Sequence, residues 1–310
     1  MLESAVRIVT AIFLMIGAGY LFQRKGWLGE NAPVILSRVT LRIGMPGLIF
    51  SNILSEYSRD MLLDGAVSLL APLIVLTVMY MLSMPIAKAL RIPSARRGVF
   101  RALFTFGNTL FIGMPVCRAI FGEAGVSSVL LYYLVNTSLW WLIGAPGVAG
   151  DGGAGERGGF LKRLASPPLI ACFVSVALVM AGFTPPAFLM TAAGYLGAVV
   201  TPLSMLFIGC MLCDMLSHGL RWQKGYGAIL LGRSIVGPLL CLPLCFMMGI
   251  TGDMLGVFFL QSGMPTQTQT CLWAQEKGVD AEYAAGAIAL STLLGLLVIP
   301  LCVWSLKFVG

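Results

Sequence analysis

The sequence predicts an all-α polytopic membrane protein with ten transmembrane helices, arranged as two inverted five-helix repeats. Hydrophobic residues make up 58% of the 310 residues and charged residues only 11%, a composition outside the range of soluble globular domains. A helix needs roughly 20 mostly apolar residues to cross a bilayer, and about ten such stretches follow one another with short connections. Little chain remains for a soluble catalytic domain, so an enzyme is not expected.

The apolar stretches give the boundaries of the expected spans. Sequence patterns place helix ends only to within a few residues. The spans are expected at 5–22, 33–53, 66–90, 98–121, 125–148, 167–184, 187–216, 226–249, 253–275 and 281–308.

The chain divides into two similar halves joined at its midpoint. Residues 1–149 form the first five-helix repeat, 150–166 a glycine-rich cytoplasmic linker, and 167–310 the second repeat. Gly-Met-Pro occurs at 113–115 in the fourth span and again at 263–265 in the ninth. An odd number of spans in each half makes the second half enter from the opposite face of the membrane. The repeat is therefore inverted, as in alternating-access carriers.

Lysine and arginine predict the orientation. Most of them lie in the odd-numbered connections, and short cytoplasmic loops retain these residues. The chain is therefore expected to be a multi-pass protein of the bacterial inner (plasma) membrane with both termini outside the cytoplasm. The net charge of +7 is spread over these loops rather than forming a stripe, so no nucleic-acid partner is expected.

The fourth and ninth spans contain poor helical sequence, at 106–115 and 261–270. Glycine loosens the backbone, proline removes a donor, and the Asn, Thr, Ser and Gln side chains can bind the freed backbone groups. Each helix is expected to break near the middle of the membrane, with proline at the start of the new half-helix.

Two new helix starts that face one point would form an anion site, because unpaired N–H groups carry partial positive charge there. The alternative is that proline and glycine only kink these helices for packing. The candidate substrate-binding residues are Gly107, Asn108, Thr109, Gly113, Pro115, Asn136, Arg233, Gly263, Pro265, Thr266, Gln267, Thr268 and Gln269.

Arginines inside the spans add a second observation. Arg38 and Arg42 lie one turn apart in the second span, and Arg233 lies in the eighth. An unpaired guanidinium at the bilayer centre costs at least about 3 kcal/mol. Two interpretations of Arg233 stay open: it pairs with an anionic substrate, or it extends toward the cytoplasmic face.

Several of these motifs resemble the auxin efflux carrier family, which includes plant carriers and bacterial malonate-type permeases. The resemblance covers nearly the whole chain. Its most specific parts are 107–109 with 113–115, 264–266, and Ser291-Thr292-Leu293.

The resemblance implies a fold similar to bile-acid and sodium–proton carriers, with the fourth and ninth helices crossing at their prolines. It also implies a scaffold of helices 1, 2, 6 and 7, a moving core of the others, homodimers and carboxylate substrates. Asn108 matches the family's crossover asparagine, whereas Gln267 and Gln269 stand where plant carriers have a second asparagine. The third span is uncharged from Ala66 to Ala87, unlike that of the plant relatives, so the coupling ion is left open.

The expected function is secondary transport of a small organic anion, a carboxylate, by an elevator-type alternating-access mechanism. No metal site or cofactor is expected, and the partners are the substrate, the lipid bilayer, a coupled proton or sodium ion if there is one, and a second copy of the chain. Two alternatives stay open. One is a sodium-coupled carrier of the bile-acid type, and the other is a membrane receptor or sensor that binds a ligand without moving it.

Overall fold

A computed structural model describes residues 2–29, 31–151, 167–217 and 222–306, and these are predominantly helical. The expected linker at 150–166 lies outside the described residues from residue 152 onward. The helices are α1 Leu2–Arg24, α2 Ala32–Val39, α3 Met45–Glu56, α4 Arg59–Asp64, α5 Leu70–Ala89, α6 Arg97–Thr105, α7 Met114–Leu139, α8 Ala145–Asp151, α9 Pro167–Met180, α10 Ala187–Ala198, α11 Val200–Ser217, α12 Tyr226–Leu231, α13 Gly237–Met247, α14 Gly252–Ser262, α15 Gln269–Glu276 and α16 Ala281–Ser305.

Six helical runs in the described residues are long and apolar enough to cross a membrane. They confirm an all-helical membrane architecture, while the arrangement of ten spans in two inverted repeats stays a prediction. The sixth expected span contains a shorter apolar helix, Ile170–Met180. The six runs are Ala32–Glu56, Leu70–Ala89, Gly125–Gly150, Ala187–Cys213, Tyr226–Met247 and Ala281–Ser305.

Four π-helical turns join consecutive helices. They are Thr40–Gly44 before α3, Thr109–Gly113 before α7, Trp140–Gly144 before α8 and Gly232–Val236 before α13. In each case the helix that follows has proline as its second residue. A proline ring clashes with the carbonyl four residues earlier in a regular helix, and the wider π turn moves that carbonyl away. The helical run therefore continues through Gly44-Met45-Pro46, from Ala32 to Glu56.

The fourth and ninth expected spans are both interrupted, as predicted. Neither proline, however, lies at the start of the new half-helix, where the sequence analysis expected it. Helix α6 ends at Thr105, and the backbone is non-helical from Phe106 until the π turn that begins at Thr109. Helix α14 ends at Ser262, and α15 begins only at Gln269. Pro115 thus lies within the second half-helix, and Pro265 lies inside the break rather than at a helix start.

The helices pack in two groups. The first helix group consists of α1, α2, α3, α9, α10 and α11, and the second of α5 to α8 with α12 to α16. Glycines let helices of the first group approach closely: a Cβ on Gly209 would overlap the Ile16 carbonyl, and one on Gly197 would overlap the Leu48 backbone. The first group contains the expected spans 1, 2, 6 and 7, and their role as a scaffold stays a prediction.

Three connections of the second helix group meet at one end of the molecule. Arg96 forms an ion pair with Asp280 at 2.5 Å and donates a hydrogen bond to Gln223 at 3.0 Å. The Tyr283 hydroxyl donates to the Lys224 carbonyl at 3.0 Å. The third, seventh and ninth connections therefore lie on the same side of the protein, while the orientation of that side in the membrane stays a prediction.

Candidate functional site

The two helix breaks contact each other through their backbones. Gly107 and Thr266 form an antiparallel bridge. The Asn108 N–H donates to the Pro265 carbonyl at 2.7 Å, and the Gln267 N–H donates to the Phe106 carbonyl at 3.1 Å. Each break thus satisfies backbone groups that the other leaves free, as unpaired groups inside a membrane require. Along the chain, the crossing is next to Pro265 in the second break, whereas in the first break it is at Gly107, eight residues before Pro115.

Asn108 joins the two breaks through its side chain as well. Its Oδ1 accepts a hydrogen bond from the Phe111 N–H at 3.1 Å, which makes Asn108 the N-cap of the half-helix that follows. Its Nδ2 donates to the Thr268 hydroxyl at 3.3 Å. The side chain therefore holds the start of one half-helix against the start of the other.

A chain of amides continues from this crossing. Asn136 donates from Nδ2 to the Gly107 carbonyl at 3.3 Å and to Gln267 Oε1 at 3.2 Å. Gln267 in turn donates from Nε2 to Gln269 Oε1 at 2.6 Å. Two buried atoms of this chain, Asn136 Oδ1 and Gln269 Nε2, have no hydrogen-bond partner among the described residues. Buried polar atoms are almost always paired, so these two indicate a place for water or a ligand.

Helix α16 supports the second break from behind. The Ser291 hydroxyl accepts from the Thr266 N–H at 3.2 Å, and the two hydroxyls lie 2.7 Å apart. A Cβ on Gly295 would lie 2.8 Å from the Pro265 ring, so glycine allows that ring to pack against the helix. Thr266 and Pro265 are thereby fixed in place but face α16.

Arg233 lies beneath the crossing and is only 1% exposed. Its guanidinium donates from Nη1 to the Thr105 carbonyl at 2.7 Å, from Nε to the Met264 carbonyl at 2.9 Å and from Nη2 to the Gln261 carbonyl at 3.3 Å. These carbonyls belong to the ends of α6 and α14 and to the break after α14. Because helix C-termini carry about half a negative charge each, one buried cation neutralises two helix ends.

The position of Arg233 bears on both interpretations made from the sequence. The side chain does not extend to a surface. It binds backbone carbonyls instead, outside the residues that line the cavity at the crossing.

That cavity lies between the crossing and α3 of the first helix group. Its volume is about 20 Å³, room for about one water molecule in this conformation. All its lining side chains are uncharged, and polarity comes from amides and hydroxyls. The lining residues are Met45, Leu48, Gly107, Asn108, Thr109, Leu110, Phe111, Tyr133, Gln267, Thr268 and Gln269.

The structure brings six predicted residues to this cavity: Gly107, Asn108, Thr109, Gln267, Thr268 and Gln269. Gly113 and Gly263 serve packing, because a Cβ on Gly113 would overlap the Gln261 amide and one on Gly263 would lie 3.1 Å from the Pro238 ring. The side chain of Pro115 lies outside what the structure describes.

Sequence reasoning missed five residues that also line the cavity: Met45, Leu48, Leu110, Phe111 and Tyr133. Nothing in the sequence pattern distinguishes these five from other apolar and aromatic residues of the spans. Among the described residues, no cluster of three or more His, Cys, Asp or Glu side chains could hold a metal ion.

Comparisons with known proteins agree on one class. The model of a family described as "Membrane transport protein" matches residues 4–156 and 159–303. An uncharacterized transporter of Methanocaldococcus jannaschii is 30% identical over 308 residues, covering 96% of this chain and 98% of its own. An uncharacterized transporter of Methanothermobacter thermautotrophicus is 27% identical over 307 residues, covering 96% of each chain. A Rhizobium meliloti protein named "Putative malonate transporter" is 25% identical over 197 residues, covering 61% of each chain.

Proposed function

Since the chain belongs to the membrane transport protein family, that of the auxin efflux carriers, we propose that it is a secondary transporter of a small organic anion, a carboxylate. The substrate binds at the crossing of the two broken helices, and the second helix group moves against the first in an elevator-type alternating-access cycle. The membrane is the bacterial inner membrane, and the ten helices form two inverted repeats.

One observation carries this proposal: the starts of two half-helices line the same cavity. Thr109 to Phe111 begin one of them, and Thr268 and Gln269 begin the other. The first N–H groups of a helix have no carbonyl partner within it and attract anions. Gln269 Nε2, the unpaired donor, belongs to this lining. Donors therefore converge on the cavity from both breaks.

The buried Arg233 compensates the negative ends of the two helices that lead into the crossing, so these ends do not repel an anion in the cavity. Its guanidinium lies directly behind Gly107, which lines the cavity from the other side. A charge in a low-dielectric interior acts over several ångströms with little screening. We assign Arg233 a positioning role, in which it holds both helix ends and favours an anion without contacting it.

The remaining predicted residues support the site. Asn136 links the first break to Gln267 through its amide. Thr266 and Pro265 fix the second break against α16. Gly113 and Gly263 permit close packing. The relative named for malonate makes a dicarboxylate the first ligand to test.

Purified protein screened by thermal shift against mono- and dicarboxylates, with and without sodium and at two pH values, tests binding, because a ligand of the folded state raises apparent stability. Transport is then measured in proteoliposomes for the wild type, Asn108→Ala and Gln267→Ala. We expect one carboxylate class to stabilise the protein and both variants to lose its transport. Unchanged transport in both variants would remove the crossing from the mechanism.

A further inference from the structure

An ion pair joins the two helix groups close to the crossing. Arg38 Nε lies 3.3 Å from Glu276 Oε2, and Arg42 Nη2 contacts the other carboxylate oxygen, Oε1. Each oxygen therefore has its own guanidinium. The Glu276 side chain is 8% exposed, whereas those of Arg38 and Arg42 are 61% and 65% exposed. The two arginines thus remain open to their surroundings while they hold a carboxylate.

The elements that carry the ion pair both continue to the lining of the cavity. Arg38, Arg42 and Met45 follow one another at helical spacing, and Met45 lines the cavity. Opposite them, α15 begins at Gln269, also in the cavity lining, and ends at Glu276. Eight helical residues span about 12 Å. The ion pair therefore connects the two helix groups at a distance of about 12 Å, the length of α15, from the cavity.

We propose that Arg38 and Arg42 form a second carboxylate site, at the mouth of a path to the cavity, and that Glu276 is its resident occupant in the conformation described. When the second helix group moves, Glu276 leaves and the two guanidinium groups accept the carboxylate of an incoming or departing anion. The inference rests on the proposed function for its purpose, but its chemistry can be tested separately.

The geometry and energetics both fit an exchangeable site. A carboxylate already occupies it, with one oxygen on each guanidinium, so another carboxylate of similar size meets the same donors. Ion pairs with exposed partners contribute little net stability, because water and salt compete for them. Both arginines are largely exposed, so a free carboxylate can reach them once the 8% exposed Glu276 side chain moves away.

The Arg96–Asp280 pair is a matched control within the same chain. It also joins an arginine to a carboxylate, but both residues belong to the second helix group, which moves as a unit in the proposed cycle. Asp280→Asn therefore removes an ion pair of similar chemistry without opening the boundary between the groups.

The experiment measures how malonate protects Arg38 and Arg42 from modification by phenylglyoxal, read for each arginine by peptide mass spectrometry. The full-length protein is compared as wild type, Glu276→Gln, Glu276→Ala and Asp280→Asn, with chloride at equal ionic strength as the control anion. Removal of the resident carboxylate should lower the malonate concentration that gives half-protection by up to about fivefold, the range for exposed pairs. Asp280→Asn should match the wild type.

Equal half-protecting concentrations in the wild type and both Glu276 variants would show that Glu276 is not the occupant. Absence of protection in every protein would show that the arginines do not bind a free carboxylate. Either result overturns the inference. Failure of the proposed function looks different: Asn108→Ala would then leave transport intact, whatever malonate does at Arg38 and Arg42.

Discussion

The guanidinium of Arg233 lies against Gly107 at the place that a Cβ would occupy. The same guanidinium binds carbonyls at the ends of both helices that lead into the crossing. The absence of a side chain at residue 107 thus allows one buried cation to reach both helix ends. Gly107 is needed for this close approach and not for a left-handed turn, since it is not among the glycines with positive φ.

Gly107→Ala should therefore disable the site. The new methyl group would displace the guanidinium, with a cost of about 1–3 kcal/mol as for other overpacked positions. We expect a lower melting temperature in detergent and loss of transport in proteoliposomes. Gly17→Ala is the control, because nothing lies within 4 Å of its added Cβ. Wild-type transport by Gly107→Ala would show that Arg233 need not occupy its observed position.

Arg233→Lys should be impaired although it keeps the charge. One ammonium cannot reproduce the planar fork that reaches three carbonyls, two at helix ends and one in the break after α14. Each buried carbonyl left unpaired costs about 1–3 kcal/mol. We expect reduced thermal stability and a raised KM for transport, and a larger loss in Arg233→Met, which also lacks the cation. If Arg233→Met changed stability but left KM unaltered, the residue would serve folding alone.

Three substitutions of Asn108 separate the effect of losing its N-cap oxygen from the effect of adding a negative charge. Asn108→Ala removes the N-cap bond to the Phe111 N–H and should cost about 1 kcal/mol. Asn108→Ser and Asn108→Asp both keep an N-cap oxygen, but aspartate adds a negative charge to the cavity lining. We expect Asn108→Asp to be more stable than Asn108→Ala and yet to bind no anion in a thermal-shift titration. Anion binding by Asn108→Asp equal to that of Asn108→Ser would mean that the anion does not bind beside residue 108.

Local patterns were enough to predict both breaks, because glycine, proline and polar side chains within ten residues weaken a helix wherever it folds. The same patterns predicted a proline at the start of each new half-helix. Pro115 instead follows a π turn that already belongs to the half-helix, and Pro265 lies inside the break. The partners of Arg233 lie up to 128 residues away and those of Arg38 and Arg42 more than 230. Such contacts depend on how the helices pack, and no spacing along the chain encodes them. The cavity residues Met45 and Tyr133 were missed for the same reason.

The membrane orientation can be tested at the chain's end and at its midpoint. Lys and Arg are concentrated in the odd-numbered connections, and the structure brings three of these connections together around Arg96. Because such residues are retained in the cytoplasm, a protein fused after Gly310 should lie outside it and one inserted after Gly150 inside it. We expect alkaline phosphatase to be active only at Gly310 and green fluorescent protein to fluoresce only at Gly150. The reverse pattern would invert the topology, and the Arg38–Arg42 mouth would then open to the cell exterior.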